Sequence, residues 1–317
     1  MSDVNNANKA VIGLLHPGEM GAAVGRCLTA RGHEVLWASR GRGPDTAARA
    51  AAAGLADAGT VTALAARAQV IISVCPPHAA LDVAWAVHGF GGLYVDANAI
   101  SPGTAREVAR LICESGGRYV DGGIVGPPPD QPGRSRLYLS GGSPSGTGSA
   151  GTDAASAGTD AASSGTDAAS AGTDAAQVAA LFEGTPLDTR IVGGTATAAS
   201  AVKMAYAAWT KGTAALLLSV RALAREQGVE DALLSQWAES QPGLDARSAG
   251  AARSAAAKGW RWVGEMEEIA ATMSAAGLPD GFHQAAAEIF RRSPRGAAGN
   301  DLLDQVLGEL TGDSSAM

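Results

Sequence analysis

The sequence predicts an α/β protein: a doubly wound, mostly parallel sheet followed by an all-α C-terminal domain. Three observations predict it. Between residues 10 and 140, short apolar runs alternate with helical stretches. Those runs are apolar almost throughout, as strands covered on both faces must be. From about Thr195 no run reads as a strand, and helical segments continue to about Arg292. The expected division is residues 1–194 for the sheet domain and 195–317 for the helical domain.

In chain order, "AVIGLL" is a first strand and "EMGAAVGRCLTARG" a helix closed by Gly32. "EVLWAS", "QVIISVC", "GLYVDAN", "RYVDGG" and "RLYLSG" are further strands, with helical segments such as Thr104 to Glu114 between them. After Gly142 a seven-residue repeat, "GTDAASA", begins at Gly151, Gly158, Gly165 and Gly172. It has no large apolar residue at any position, and a glycine in every heptad weakens a helix by roughly 1 kcal/mol each. It reads as a disordered surface insertion over about 143–173 rather than a coiled coil. The sheet domain resumes with helix "DAAQVAALFEG" and strand "DTRIVGG". Thr197 to Gln227 contains no proline and a single glycine, Gly212. It reads as one long helix stopped by Gly228.

The chain has 317 residues, 46% of them hydrophobic, which is enough for two cores. A net charge of -7 with no basic block argues against nucleic acid or an anionic membrane as partner. Cys27, Cys75 and Cys113 are far apart and form no C-x-x-C pair, so neither a disulfide scaffold nor a metal site is expected. The polar N-terminus lacks a signal-peptide layout, and no apolar run approaches the ~20 residues of a membrane span. A soluble, cytoplasmic protein is expected.

The turn after the first strand carries the first functional signal. Dinucleotide-binding turns follow G-x-G-x-x-G. Here Leu15 is followed by His16-Pro17-Gly18-Glu19-Met20-Gly21. Gly18 stands where backbone must approach a phosphate, and Gly21 where the helix must pack closely on the strand. The helix N-terminus that follows offers N–H groups and a positive dipole end. The tight-turn glycine is replaced by His16, which could add a hydrogen bond to the cofactor. Eighteen residues after Gly21, where an acidic residue would hold the ribose of NAD, stand Ser39, Arg40 and Arg42. A hydroxyl and two guanidinium groups suit the 2′-phosphate of NADP(H).

The ordered segments "IGLLHPGEMG", "SRGR", "VIISVCPP", "YVDANAISP", "YVDGGIVGPPP" and "ASAVKMAYAAWTKG" resemble the β-hydroxyacid dehydrogenase and imine reductase superfamily. That superfamily includes 6-phosphogluconate and 3-hydroxyisobutyrate dehydrogenases. The later segment "RWVGEMEEIAATMSAAGLPDGF" looks like a poorly characterised phosphogluconate dehydrogenase-like branch. The resemblance implies a Rossmann-type domain with Cys75, Pro76 and Pro77 against the cofactor and Asn98 near the nicotinamide. It places Gly122, Gly123 and Val125 on the substrate segment and makes Lys203 the catalytic lysine. It also implies a homodimer through the long helix, with the site between domains.

Several positions depart from the family pattern. Its Ser-Gly-Gly is Val125-Gly126-Pro127 here, and its Asn after the lysine is Ala207, beside Tyr206. Its later Lys-Asp pair gives way to Glu265, Glu267 and Glu268.

Lys203 lies in an apolar stretch, where a lysine could simply snorkel to solvent. In the family context it is the proton donor to the oxygen that a hydride transfer leaves negative. Desolvation disfavours its charged form, which opens both acid and base roles. Tyr206, three residues on, is a second donor or an interface residue. The expected activity is NADP(H)-dependent hydride transfer to or from a small carbonyl or β-hydroxy acid. An imine reductase and a non-catalytic dinucleotide-binding protein are the alternatives, the first favoured by the acidic replacements, which suit an iminium.

Overall fold

The computed structural model describes residues 9–141, 163–297, 299 and 301–312. The chain divides into two compact units that meet in sequence at Lys203 and Met204. The first unit is built on β1 (Val11–Leu15), α1 (Glu19–Ala30), β2 (Glu34–Trp37), α2 (Pro44–Ala52) and β3 (Ala56–Asp57). It continues through α3 (Val61–Arg67), β4 (Val70–Ser73), α4 (Ala80–Trp85), β5 (Leu93–Asp96) and α5 (Pro102–Glu114). It closes with β6 (Arg118–Val125), β7 (Ser135–Ser140), α6 (Ser163–Leu181) and β8 (Leu187–Ile191). The helix α7 (Ala198–Glu226) starts in this unit and continues into the second.

Among the described residues the sheet has eight strands in the order β3-β2-β1-β4-β5-β6-β7-β8. Alternating residues feed two cores, one on each face. Ile12, Leu14, Val70, Ile72, Leu93 and Val95 join Val24, Leu28, Val178 and Phe182 from α1 and the α6 region. Ile71, Tyr94 and Tyr119 join Leu64, Ala84, Val108 and Ile112 from α3, α4 and α5. This is a doubly wound sheet. Helix α5 shows how local signals agree: Ser101 Oγ accepts from Thr104 N at 3.1 Å, and Pro102 opens the first turn. Its Ala105, Val108, Ala109 and Ile112 then bury one stripe.

The structure differs from the sequence reading in three places. The two-residue edge strand β3 is too short and too exposed to leave a pattern. Strand β7 runs antiparallel to β6, while the other neighbours pair parallel. The link between them, "GPPPDQPGR", is too short for a crossover helix and too proline-rich to form one. The expected disordered insertion over 143–173 is also corrected at its C-terminal end. Residues 142–162 lie outside the described residues, but α6 already begins at Ser163. The repeats hold two or three Ala in seven residues, so the packed segment from Asp174 to Leu181 extends backwards as helix.

The second unit holds the rest of α7, then α8 (Glu230–Ser240), α9 (Leu244–Ala275), α10 (Gly281–Arg292) and α11 (Leu302–Thr311). Its core is alanine-rich, with Ala251, Ala252, Ala255 and Ala256 of α9 buried. Arg221 pins α7 to α8 and α9, donating to Glu230 Oε1 at 2.5 Å and Ser248 Oγ at 2.8 Å. No helix among the described residues is long and apolar enough to cross a membrane. The division between units falls inside α7 rather than ahead of it, because the first turn of α7 is tied to the sheet.

Candidate active site

The first group of site residues forms the β1–α1 turn. Leu15 ends β1, and His16 has φ of +66°, the left-handed region that the missing glycine would adopt freely. The turn therefore keeps its conformation without its usual residue. Gly18 N donates to His16 O at 2.8 Å and Ala22 N to Gly18 O at 2.9 Å, which closes the turn onto α1. A Cβ on Gly21 would stand 2.3 Å from His16 O, so only glycine lets α1 approach. A Cβ on Gly18 would meet nothing within 4 Å, so the space over it is open. No side chain caps α1. Its first-turn N–H groups point to where an anion would sit. Pro17 is buried, Met20 is half-buried, and the Glu19 side chain lies at the surface.

These features fit a dinucleotide pyrophosphate. His16 strengthens the fit. Its Nδ1 is buried without a protein partner, and burial, aided by the Arg42 guanidinium, holds its imidazole down at about 4. It is a neutral imidazole in the cradle at physiological pH.

The second group follows β2. Ser39 O accepts from Arg42 N at 3.0 Å in a turn through Gly41, at φ of +76°. Arg40 and Arg42 are exposed. Arg42 is the one whose charge is felt at His16 and Cys75. The Ser39 hydroxyl is engaged by Asp57, whose carboxyl is held below the usual range chiefly by the Gly59 N–H and then by Ser39. A residue absent from the sequence reading joins this corner. Arg49 on α2 reaches Pro17 O, with Nε 3.5 Å away. No motif flagged it, because a lone arginine on a helix reads as a solvated side chain.

The third group lies beyond β4 and β5. Asn98 Oδ1 accepts from Cys75 N at 2.5 Å, and Asn98 Nδ2 donates to Ser73 Oγ at 3.1 Å. Asn98 N donates to Asp96 Oδ1 at 2.9 Å. Asn98 thus ties the two loops together, and its buried side chain is spent on that tie rather than aimed outward. Burial pushes the Cys75 thiol up to about 12, so it is an inert packing group. Pro76 is exposed and Pro77 half-buried beside it.

The fourth group is the strand β6 against α7. Gly122 packs in the sheet, where a Cβ would stand 2.8 Å from Asp96 O. A Cβ on Gly123 would stand 2.8 Å from Ala199 O and 2.9 Å from Lys203 Cβ. The glycines are thus required by backbone approach, and Gly123 puts Lys203 directly on the strand. Val125 is buried at the end of β6. Lys203 is half-buried, and Tyr206, three residues on, is 50% exposed.

Residues 9–145 match the family described as the NAD binding domain of 6-phosphogluconate dehydrogenase. Residues 224–293 match a domain of unknown function, DUF1932. The first match covers the sheet-forming half of the chain and is to a dinucleotide-binding family. A segment matching a nicotinamide-dinucleotide-binding domain thus precedes a distinct helical one.

Solved structures share the fold. A conserved protein of unknown function, described as similar to 3-hydroxyacid dehydrogenases, is 24% identical with a TM-score of 0.59 over 93% of this chain and 99% of its own. The 3-hydroxyisobutyrate dehydrogenase of Mycobacterium tuberculosis is 16% identical with a TM-score of 0.64 over 96% and 99%. A reductive aminase from Aspergillus terreus, in complex with NADPH and ethyl levulinate, is 20% identical with a TM-score of 0.51 over 94% and 99%. At these identities the likeness is one of fold. No curated protein matches the chain.

Proposed function

We propose that this protein is a member of the β-hydroxyacid dehydrogenase and imine reductase superfamily, and an NADP(H)-dependent oxidoreductase acting on a small carbonyl or β-hydroxy acid. The observation that carries the reading is the mounting of Lys203: an amine held half-buried against Gly123, in a unit that also contains a dinucleotide cradle. Gly18, Gly21 and the start of α1 would hold the pyrophosphate, with His16 as a neutral hydrogen-bonding group beside it. Arg42, supported by Arg40, would hold the 2′-phosphate. A bound nicotinamide supplies or accepts the hydride. Lys203 donates the proton to the substrate oxygen as negative charge develops there, and takes it back in the reverse direction.

The alternative of C=N reduction rests on an acidic helical domain suited to an iminium. Glu265, however, is ion-paired with Lys211, and Glu267 with Arg291 at 2.9 Å. The acidic charge is largely balanced, which favours a neutral carbonyl. The test is the loss of NADPH absorbance against aldehydes, keto acids and cyclic imines. Turnover of a carbonyl compound supports the reading. Turnover of imines alone replaces it with the alternative, and tight NADPH binding without turnover on any class supports a dinucleotide-binding protein instead.

We also propose a homodimer through the helical domain. On α7, Trp209 is 70% exposed, Leu216 47% and Leu223 61%. Their seven-residue spacing makes one apolar stripe along the helix. Light scattering at micromolar concentration checks it, and a monomer mass sinks it.

A further inference from the structure

The lysine does not reach its place through its own contacts alone. The first turn of α7 is gripped by buried polar side chains of β6 and β7. Asp121 Oδ2 accepts from Ser200 N at 2.8 Å, and Asp121 Oδ1 accepts from Ser200 Oγ at 2.5 Å. Ser140 Oγ lies 3.0 Å from Asp121 Oδ2 and accepts from Ala199 N at 2.9 Å. Asp121, Ser140 and Ser200 are all essentially inaccessible to water. A serine hydroxyl and a carboxylate from distant strands thus take the second and third backbone donors of a long helix, where the helix dipole favours negative charge.

The register of β6 gives the grip its direction. Residues 121 and 123 project to the same face of the strand. Asp121 holds Ser200, and Gly123 admits Ala199 and Lys203. Lys203 follows Ser200 by three residues, just under one helical turn. Two successive positions on one strand face therefore fix both the axial position of α7 and the place where Lys203 leaves it.

We infer that Asp121, acting with Ser140 and Ser200, is a positioning residue that sets the location of the Lys203 amine. This rests on the reading of Lys203 as the proton donor and extends it to residues that touch neither cofactor nor substrate. The energetics point away from a purely stabilising role. Burial pushes the Asp121 carboxyl up to about 6, against the pull of its Ser200 and Ser140 hydrogen bonds. A raised folded-state value means that the ionised carboxylate present at pH 7 is destabilising relative to the neutral acid, with the stability gained back as pH falls from about 6 toward the unfolded value. A group kept only for stability would be better neutral.

The test reads the amine directly, so it needs no substrate. The full-length protein is treated with a limiting amine-acylating reagent at about pH 7.5, above the raised value of about 6 for the Asp121 carboxyl, and modification of Lys203 and Lys211 is followed by mass spectrometry. Asp121→Asn keeps the shape but loses one acceptor oxygen, and Ser200→Ala is a milder second variant. Each should change the Lys203 rate at least fivefold while Lys211, in the other unit, stays within twofold, estimates set by a net loss of one or two hydrogen bonds. No change at Lys203, or equal changes at both lysines, overturns the inference; the latter is general loosening. The catalytic reading is judged separately. Full turnover by Lys203→Ala removes Lys203 from the chemistry but leaves the labelling result standing. An inactive Lys203→Ala with unchanged labelling in Asp121→Asn and Ser200→Ala removes the positioning role alone.

Discussion

The cradle at His16–Gly21 and the lysine mount at Asp121–Lys203 lie in the same unit and are built by opposite means. The cradle is made of backbone. Its side chains are few, and one key position has changed residue while keeping its φ. The mount is made of side chains: a carboxylate and two hydroxyls meet across 79 residues of sequence. A backbone site tolerates a change of residue that keeps the conformation. A side-chain site does not tolerate loss of a partner. The comparison therefore predicts which substitutions will be felt, and how.

The largest effect should come from the mount. Lys203→Ala removes the proposed proton donor and should lower turnover by roughly 10²–10⁴, the range for a lost general acid. NADPH affinity should stay within a few-fold, because the cradle is a separate structure. Lys203→Arg should not restore the rate, since a guanidinium remains protonated. Stopped-flow rates beside calorimetric dissociation constants separate the two quantities. Parallel loss of both would show that cradle and mount are one site energetically, and the contrast drawn above would fail.

Within the cradle, two glycines should respond differently. Gly21→Ala drives a Cβ into a backbone carbonyl that cannot turn away, at 2.3 Å. Overpacking of this kind costs roughly 1–3 kcal/mol. It should lower Tm by several degrees, at about 2–4 °C per kcal/mol for a domain of this size, and weaken NADPH through displacement of α1. Gly18→Ala meets nothing within 4 Å and should fold as the parent does. Its methyl would occupy phosphate space, so NADPH should still weaken. Equal Tm losses would mean that Gly18 is a packing glycine and not an anion contact.

A smaller effect is expected at the 2′-phosphate. Arg42→Ala should reduce the preference for NADPH over NADH about tenfold, since a charge-assisted contact contributes roughly 1.5–3 kcal/mol. Arg40→Ala should do less, because it is Arg42 whose charge is felt at His16 and Cys75. Unchanged NADPH preference in both variants would leave the serine–arginine turn without a role.

The same contrast decides what could be read from the sequence. The cradle was legible because its signal is local: glycine spacing after an apolar strand, then arginines at a fixed interval. The central strands were legible because both faces are buried, unlike β3, which has two residues and no buried face. Lys203 became legible only through the order of several weak segments. Asp121 and Ser200 left no signal, because hydrogen bonds across a fold have no sequence period. Gly122 and Gly123 were noticed through the resemblance, and the structure adds that both serve close approach of backbone. Lys211 was passed over for the same cause as Asp121, since its partner Glu265 is 54 residues away.

The smallest and sharpest prediction concerns His16, the place where the cradle departs from its own rule. A side chain in the left-handed region costs roughly 1–2 kcal/mol, while a glycine there adds about 0.5–1 kcal/mol of unfolded-state entropy to lose. His16→Gly should therefore raise Tm slightly or leave it unchanged. Its effect should grow in acid. The folded protein holds His16 neutral down to about 4, whereas the unfolded chain protonates it near 6.5. Stability is therefore lost as pH falls between those values, and His16→Gly should flatten that part of the Tm profile. NADPH affinity is the deciding measurement. If the imidazole only shapes the turn, glycine shapes it equally well and affinity holds. If Nδ1 binds the cofactor, affinity should fall about five- to tenfold, one hydrogen bond's worth. We expect the fall, because a buried ring nitrogen with no protein partner is placed beside an open phosphate site. Unchanged affinity with a raised Tm would make His16 a residue tolerated by the backbone, and the cradle would then be a site of backbone alone.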